Sequence, residues 1–183
     1  MALLQLKKEL NLKTDLVWSG EHLTTNYETI NNWYEEGALY TYISSDITLK
    51  ETKEIIKNTT SKLIMPIFGY IPIFVSKRHE IKNYLDNFKL SDNSHINFIE
   101  KEDDIYPIMD TKEGTVVFSN KILNGYNEYK NLDIDYVTIN SFLIEDDKII
   151  KVLKTFKDKK IDDFEFENSD KGFLYRNMIY KVK

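Results

Sequence analysis

The hydrophobic pattern of the chain centres on one near-continuous apolar run, Leu63 to Tyr70. A run of this kind is typical of a strand buried on both faces of a mostly parallel sheet, so it predicts a central strand. The chain leaves the run through Ile71 and Pro72 and enters the polar segment Ser76 to His79, which we expect to open a helix ending near Leu85. Ligands of α/β proteins bind beyond the carboxyl ends of strands, which makes this polar segment a candidate site.

Helices and strands alternate on the amino-terminal side of this run. Their βα order, with short loops, predicts parallel strands joined by right-handed crossovers. The predicted elements are a helix over Leu3–Leu10, a strand over Asp15–Trp18, a helix over Asn26–Glu36 capped by Thr25 and ended by Gly37, a strand over Leu39–Ile43, and a helix from the capping box of Thr48 and Glu51 to about Asn58.

After Leu85 the pattern changes to short alternating strands. They predict an antiparallel hairpin insertion at about 94–119, with strands over His95–Glu100, Tyr106–Met109 and Thr115–Phe118. The rest of the chain predicts a helix over Ile122–Tyr129, a strand over Tyr136–Asn140, a helix over Glu145–Phe156, an exposed charged linker over Lys157–Lys171 and a terminal strand at about 172–182. We expect one α/β domain over residues 1–183.

The net charge and the absence of cysteine disfavour or exclude several classes of function. The chain has 25 Lys and Arg against 30 Asp and Glu, a formal net charge of -5. Autonomous nucleic-acid binding needs a basic face, so this balance disfavours it while leaving room for a local basic patch. The absence of cysteine excludes disulfides, a thiolate nucleophile and cysteine-ligated zinc or iron–sulfur clusters in this chain.

Targeting signals are missing from the sequence. The segment from Met1 to Lys13 lacks the apolar core and cleavage site of a secretory signal. No run reaches the roughly 18 apolar residues of a membrane span. We therefore expect a cytoplasmic protein without a membrane partner.

Four polar side chains stand at predicted strand ends or helix starts. Glu21 and His22 follow a strand end, where a general acid or base could stand, or where a loop pair could cap the next helix. Lys77 and Arg78 could hold a carboxylate or phosphate, Arg in a bidentate fork, or could be solvated charges. Cations at a helix start oppose the helix dipole, which favours the functional interpretation.

Two asparagines are further candidates. Asn26 and Asn83 could hydrogen-bond a ligand, or could serve as a helix cap and a helix-surface residue. The three histidines form no HExxH-type motif, so we predict no metal site. The sequence also lacks the G-x-S-x-G elbow of serine hydrolases, which disfavours proteolysis.

Several segments together resemble the collagenase-like peptidases, peptidase family U32. The match covers almost the whole chain. Its motifs are the EHLTTNY segment Glu21–Tyr27, the stretch Phe68–Arg78, Tyr106–Ile108 with Gly114 and Thr115, Ser119–Lys121, and the terminal Gly172–Tyr175 and Ile179–Val182.

The resemblance implies a fold. The family's catalytic-type domain is a (β/α) barrel, and this chain resembles only its later strands. We therefore expect a partial TIM-like barrel with an antiparallel hairpin insertion. Its open sheet edges imply a partner, either a second copy in a homodimer or a related protein in a heteromer.

The chain departs from the family pattern in two places. The strand Asp135–Ser141 lacks the Lys-Ile-Glu-Gly end that relatives carry, and Asn124 stands where longer relatives have a cysteine. Those relatives hold iron–sulfur clusters through cysteine, which this chain cannot do.

The resemblance also implies a function. Some family members are called collagenase-like proteases, while the short, cysteine-poor bacterial type is associated with tRNA wobble-uridine hydroxylation. It implies prephenate or another small carboxylate as a ligand, and RNA bound only indirectly or within a complex. We expect a part in RNA hydroxylation rather than proteolysis. The alternative is a catalytically degenerate binding or assembly subunit.

Overall fold

The structure, a computed structural model, describes residues 2–20, 24–92, 94–158 and 163–176. The helices are α1 Ala2–Glu9, α2 Tyr27–Glu35, α3 Leu49–Asn58, α4 Glu80–Phe88, α5 Tyr126–Tyr129 and α6 Asp146–Asp158. The strands are β1 Val17–Ser19, β2 Tyr40–Tyr42, β3 Lys62–Gly69, β4 Pro72–Ser76, β5 Asn97–Lys101, β6 Asp104–Asp110, β7 Thr115–Phe118, β8 Ile122–Asn124, β9 Tyr136–Ile139 and β10 Ser169–Asp170.

Strand β3 lies at the centre of a six-stranded sheet. It pairs in parallel with β2 and β9, and antiparallel with β8. Every residue from Met65 to Gly69 is buried, which is what a strand covered on both faces requires. The central strand predicted from the apolar run is confirmed.

The pairing register shows how the sheet is arranged around β3. Ile64 pairs with both Tyr42 of β2 and Tyr136 of β9, and Phe68 pairs with residues of both β8 and β9. Strands β2 and β8 therefore share one edge of β3, and β9 occupies the other. Beyond them β1 extends β2, and β10 extends β8. The α/β class is confirmed, and within the described ranges the strands form an open sheet and no closed barrel.

The second sheet is antiparallel, with strand order β4-β7-β6-β5. The strands predicted for the hairpin insertion lie here as β5, β6 and β7. Strand β4 was not predicted. Its Ile73, Phe74 and Val75 form one apolar triplet without the polar alternation that indicates a strand.

The predicted helix over Ile122–Tyr129 is wrong in its first half. Ile122–Asn124 is strand β8, buried throughout, and only Tyr126–Tyr129 is helical. Pairing with β3 and β10 satisfies the backbone of β8, so tertiary contacts override the local helical spacing.

The carboxyl-terminal segment differs from the prediction as well. Phe164 is buried against the ring of Phe68, so the linker is not exposed throughout. Residues 172–176 form turns instead of the predicted strand, because Leu174 is buried and the amide of Arg176 donates to the Phe173 carbonyl at 3.1 Å. Residues 177–182 lie outside the described part.

Helices cover the sheet through one apolar cluster. Ile30 of α2, Ile55 of α3 and Phe156 of α6 pack with Ile67 and Phe68 of β3. Fully burying a side chain of this size contributes about 1.5–3 kcal/mol. The central sheet is therefore a rigid support for the loops at its carboxyl edge.

Candidate functional site

A cleft of about 400 Å³ lies between the carboxyl end of the central sheet and the antiparallel sheet. It stands at the sheet edge where α/β proteins bind ligands. We call it the main cleft. Its lining comes from the central sheet and following loops, with Ser19, Tyr42, Ser44, Ser45, Pro66, Ile71 and Pro72, and from the antiparallel sheet and its turn, with Val75, Ser76, Thr111, Glu113, Gly114 and Val116.

Hydrogen bonds fix the wall that β2 contributes. The Tyr42 hydroxyl shares a hydrogen bond with the Thr138 hydroxyl of β9 at 2.9 Å, which links the two strands that flank β3. The Ser44 amide donates to the Thr24 carbonyl at 3.0 Å, and the Ser44 hydroxyl accepts from the Asp46 amide at 3.0 Å. Ser45 also lines the cleft, and its hydroxyl makes no hydrogen bond with the described residues.

The opposite wall depends on Thr115 of β7, which is fully buried. Its hydroxyl oxygen accepts from the Glu80 amide at 2.7 Å, and lies within donating distance of the Arg78 carbonyl, at 2.8 Å, and of the Asp110 carboxylate. One side chain therefore ties the segment from Ser76 to Glu80 to the antiparallel sheet.

Gly114 packs directly against this segment. It has a φ of +138°, and a Cβ built there would lie 1.9 Å from the Ser76 carbonyl oxygen and 2.8 Å from the Cα of Lys77. Only glycine allows both this backbone angle and this approach. Gly114 thus sets how closely the segment lies to the cleft.

Lys77 and Arg78 follow Ser76 of the cleft lining and are exposed. Neither side chain makes a hydrogen bond or ion pair with the described residues. The amide of Arg78 donates to the Ser76 hydroxyl at 3.0 Å, which holds the backbone of this segment. Helix α4 begins at Glu80, after these cations and not with them.

The two predicted asparagines lie in different settings. Asn26 is the N-cap of α2, and its side chain accepts from the Thr29 amide at 2.9 Å. Asn83 is exposed on α4, where its amide donates to the His79 carbonyl at 2.9 Å. Neither lines the main cleft. Glu21 and His22 lie outside the described residues.

A buried carboxylate forms a second polar centre beyond the main cleft. Glu128 of α5 is 7% exposed and accepts from the Lys171 ammonium group at 3.0 Å and from the Tyr175 hydroxyl at 3.0 Å. The Lys171 ammonium also donates to the Asn124 carbonyl at 3.1 Å. Burial, followed by the hydrogen bond and charge of Glu128, raises the pKa of Tyr175. This group anchors the segment from Lys171 to Tyr175.

Sequence reasoning missed Thr115, Ser45 and Glu128. Thr115 and Glu128 are ordinary residues in their local context, and what distinguishes them is burial and a partner more than 30 positions away. Ser45 is distinguished by its place in the lining of the main cleft. The hydroxyl-rich loop after Leu39–Ile43 was the available signal for Ser45, since it follows a predicted strand end.

The part of the chain that the structure describes has neither a metal-binding group nor a helix that could span a membrane. No three His, Asp or Glu side chains there are grouped so that they could hold a metal ion. None of the helices in that part has the length and apolar character needed to cross a membrane.

Comparison with known proteins gives two matches. The family model described as peptidase family U32 matches residues 1–182. The tRNA hydroxylation protein P2 of Bacillus subtilis (strain 168) is 27% identical over an alignment of 168 residues, and the match covers 86% of this chain and 54% of that protein. The chain therefore spans about half the length of this relative. No solved structure matches.

Proposed function

Because the chain belongs to peptidase family U32, we propose that it acts in tRNA hydroxylation rather than in proteolysis. The observation that carries the proposal is the alignment with tRNA hydroxylation protein P2 over 168 residues. The sequence adds that neither a cysteine nor a G-x-S-x-G nucleophile is present. Following the family resemblance, the proposed target is the wobble uridine.

The main cleft is the proposed reaction site. Its lining combines hydroxyl groups with apolar side chains, a composition suited to a small organic ligand. Lys77 and Arg78 directly follow Ser76 of the cleft lining and are exposed, and we call them the rim cations. Prephenate, or another small carboxylate, would place its anionic group towards these cations, which bind carboxylates through charge-assisted hydrogen bonds.

The open sheet is the basis for a proposed partner. Val17 of the edge strand β1 is exposed, and the described residues leave the outer edge of β1 unpaired. An unpaired edge is a template for another strand. We propose that a second copy or a related chain pairs there and completes a TIM-like barrel. Light-scattering mass then exceeds that of the 21.7 kDa chain, whereas a monomer at all concentrations would contradict a homodimer.

Deletion of the gene in its host organism tests the function. Total tRNA from the deletion strain is digested and its hydroxylated uridines are quantified by mass spectrometry. We expect them to fall and to recover when the wild-type chain is supplied. Unchanged hydroxylation in the deletion strain would refute the proposal.

Arg78→Ala tests the role of the rim in the same strain. Loss of a hydrogen bond to a charged group costs about 1.5–3 kcal/mol, which corresponds to a fall in ligand affinity of roughly tenfold or more. We expect Arg78→Ala to restore less hydroxylation than Lys89→Ala, a control cation at the end of α4. Equal restoration by both variants would exclude Arg78 from ligand binding.

A further inference from the structure

A second chamber of about 320 Å³ adjoins the main cleft. The two cavities share Ser45 and Ile71 in their linings, so they are neighbours near the carboxyl edge of the central sheet. We call this second cavity the side chamber. The remaining residues of its lining are Ile73, Tyr106, Ser119, Asn120, Lys121, Leu123, Asp170, Gly172, Phe173 and Arg176.

The side chamber is lined by two cations, Lys121 and Arg176. Lys121 and Arg176 are both exposed. In the described portion of the chain, neither side chain has a hydrogen bond or an ion pair. In a protein of net charge -5, these two cations outnumber the single carboxylate of the lining, Asp170, and so favour the binding of an anion there.

The nearby carboxylates are occupied by donors from the protein. Asp170 accepts from the Gly172 amide at 2.9 Å. Asp104, just outside the lining, accepts from the Asn120 amide group at 2.7 Å and from the Tyr106 hydroxyl at 3.3 Å. These bonds hold the carboxylates in place while Lys121 and Arg176 remain available.

The side chamber also offers flat surfaces for stacking. The guanidinium carbon of Arg176 lies 4.3 Å from the centroid of the Phe173 ring. Bases of single-stranded nucleic acid stack on aromatic rings and on guanidinium planes, and cations beside those surfaces contact the phosphates. Cations and a stacking surface together suit a nucleotide better than a free inorganic anion.

The buried Glu128 group holds this surface in position. Lys171 and Tyr175, which flank the turn that contains Phe173, both bind the Glu128 carboxylate at 3.0 Å. The Leu174 carbonyl accepts from the Leu49 amide at 2.8 Å, which fixes the same turn to α3. Positioning of this kind lowers the cost of ordering a binding surface when the ligand arrives.

From these observations we infer that the side chamber binds a nucleotide of single-stranded RNA, with its phosphate at Lys121 and Arg176 and its base on the surface of Phe173 and Arg176. The inference rests on the proposed function and extends it: the nucleotide next to the reacting uridine lies in the side chamber while the uridine enters the main cleft. Because both cavities are lined by Ser45, the two nucleotides would lie in neighbouring pockets.

Binding of a fluorescent oligouridylate to the purified full chain tests the inference. Lys121→Ala and Arg176→Ala should each weaken binding about tenfold, and each should make the salt dependence shallower by roughly one phosphate contact. Arg176→Lys retains the charge and loses the planar group, so it should restore the salt dependence and only part of the affinity. Lys154→Ala, an exposed lysine of α6, is the matched control and should bind as the wild type does.

The outcomes separate the inference from the proposed function. Equal binding by the wild type, Lys121→Ala and Arg176→Ala would overturn the nucleotide site, as would a wild-type chain that does not bind the oligouridylate. If inorganic phosphate competes with the oligouridylate as effectively as uridine monophosphate does, the side chamber binds anions in general. That result would also overturn the inference. The hydroxylation level of the deletion strain, measured separately, decides the proposed function whatever the binding result.

Discussion

Thr115 shows how much a single buried hydroxyl can organise. It has no solvent exposure, yet it bonds the Glu80 amide and reaches the Arg78 carbonyl and the Asp110 carboxylate. These partners lie on α4, on the loop before it and on β6. The position of the rim cations therefore depends on a residue that contributes no charge to the site.

Thr115→Val keeps the shape of the side chain and removes its hydroxyl. The Glu80 amide then loses its acceptor in a half-buried setting, which costs about 1–3 kcal/mol. Urea unfolding should show this loss in the free energy of unfolding. The matched control is Thr155→Val on α6, where the hydroxyl donates only to the Lys151 carbonyl of its own helix, so the cost should be smaller. Equal losses would contradict the role given to Thr115.

Alanine substitutions at Gly114 and Gly37 distinguish the cost of steric overlap from the cost of backbone strain. Both have φ above +100°, but a Cβ at Gly37 would lie 3.7 Å from its nearest neighbour, whereas at Gly114 it would lie 1.9 Å from a carbonyl oxygen. Gly37→Ala should cost about 1 kcal/mol through strain alone. Gly114→Ala should cost at least 1 kcal/mol more, measured by the same unfolding experiment. Equal costs would mean that the segment from Ser76 can move away from Gly114.

At the scale of the element, the sequence predicts the structures that depend on local signals. It does not predict the strands that depend on pairing with distant segments. The capping box of α3 is present as predicted, because Thr48 and Glu51 bond each other's backbone within one turn. Strand β3 was predictable because eight residues carry one uninterrupted pattern. Strands β4 and β8 were not, since segments of five and three residues fit a strand, a loop or a helix until their partners are known.

The start of α2 gives a test at this scale. The sequence suggested Thr25 as the cap, whereas the structure assigns the cap to Asn26. Asn26→Ala should therefore lower the free energy of unfolding by about 0.5–2 kcal/mol, and Thr25→Ala should change it by less than about 0.5 kcal/mol. Both values are measured by urea unfolding. A larger loss for Thr25→Ala than for Asn26→Ala would identify Thr25 as the cap and leave Asn26 free for a ligand.

At the scale of the whole molecule, the main cleft is formed by segments that are distant from one another in the chain. The sequence located the carboxyl end of β3, but it did not show that β4 lies between this end and the cations Lys77 and Arg78. It could not show that the turn at Gly114 closes the other side of the cleft, or that Glu128 anchors the turn at Phe173, because both depend on contacts between remote segments. The alignment with tRNA hydroxylation protein P2 supports the proposed function, and the main cleft is the place where that function is proposed to occur.

The central claim is that tRNA hydroxylation depends on the cleft at the carboxyl edge of the central sheet. Its most direct test is the level of hydroxylated uridine in tRNA from the deletion strain supplied with Ser45→Phe. Ser45 lines both cavities, so a phenyl ring there should block their junction. The control is Ser91→Phe, in the exposed loop after α4. If both variants keep the wild-type melting temperature, the account predicts that hydroxylation is lost with Ser45→Phe and retained with Ser91→Phe. Full hydroxylation with Ser45→Phe would contradict it.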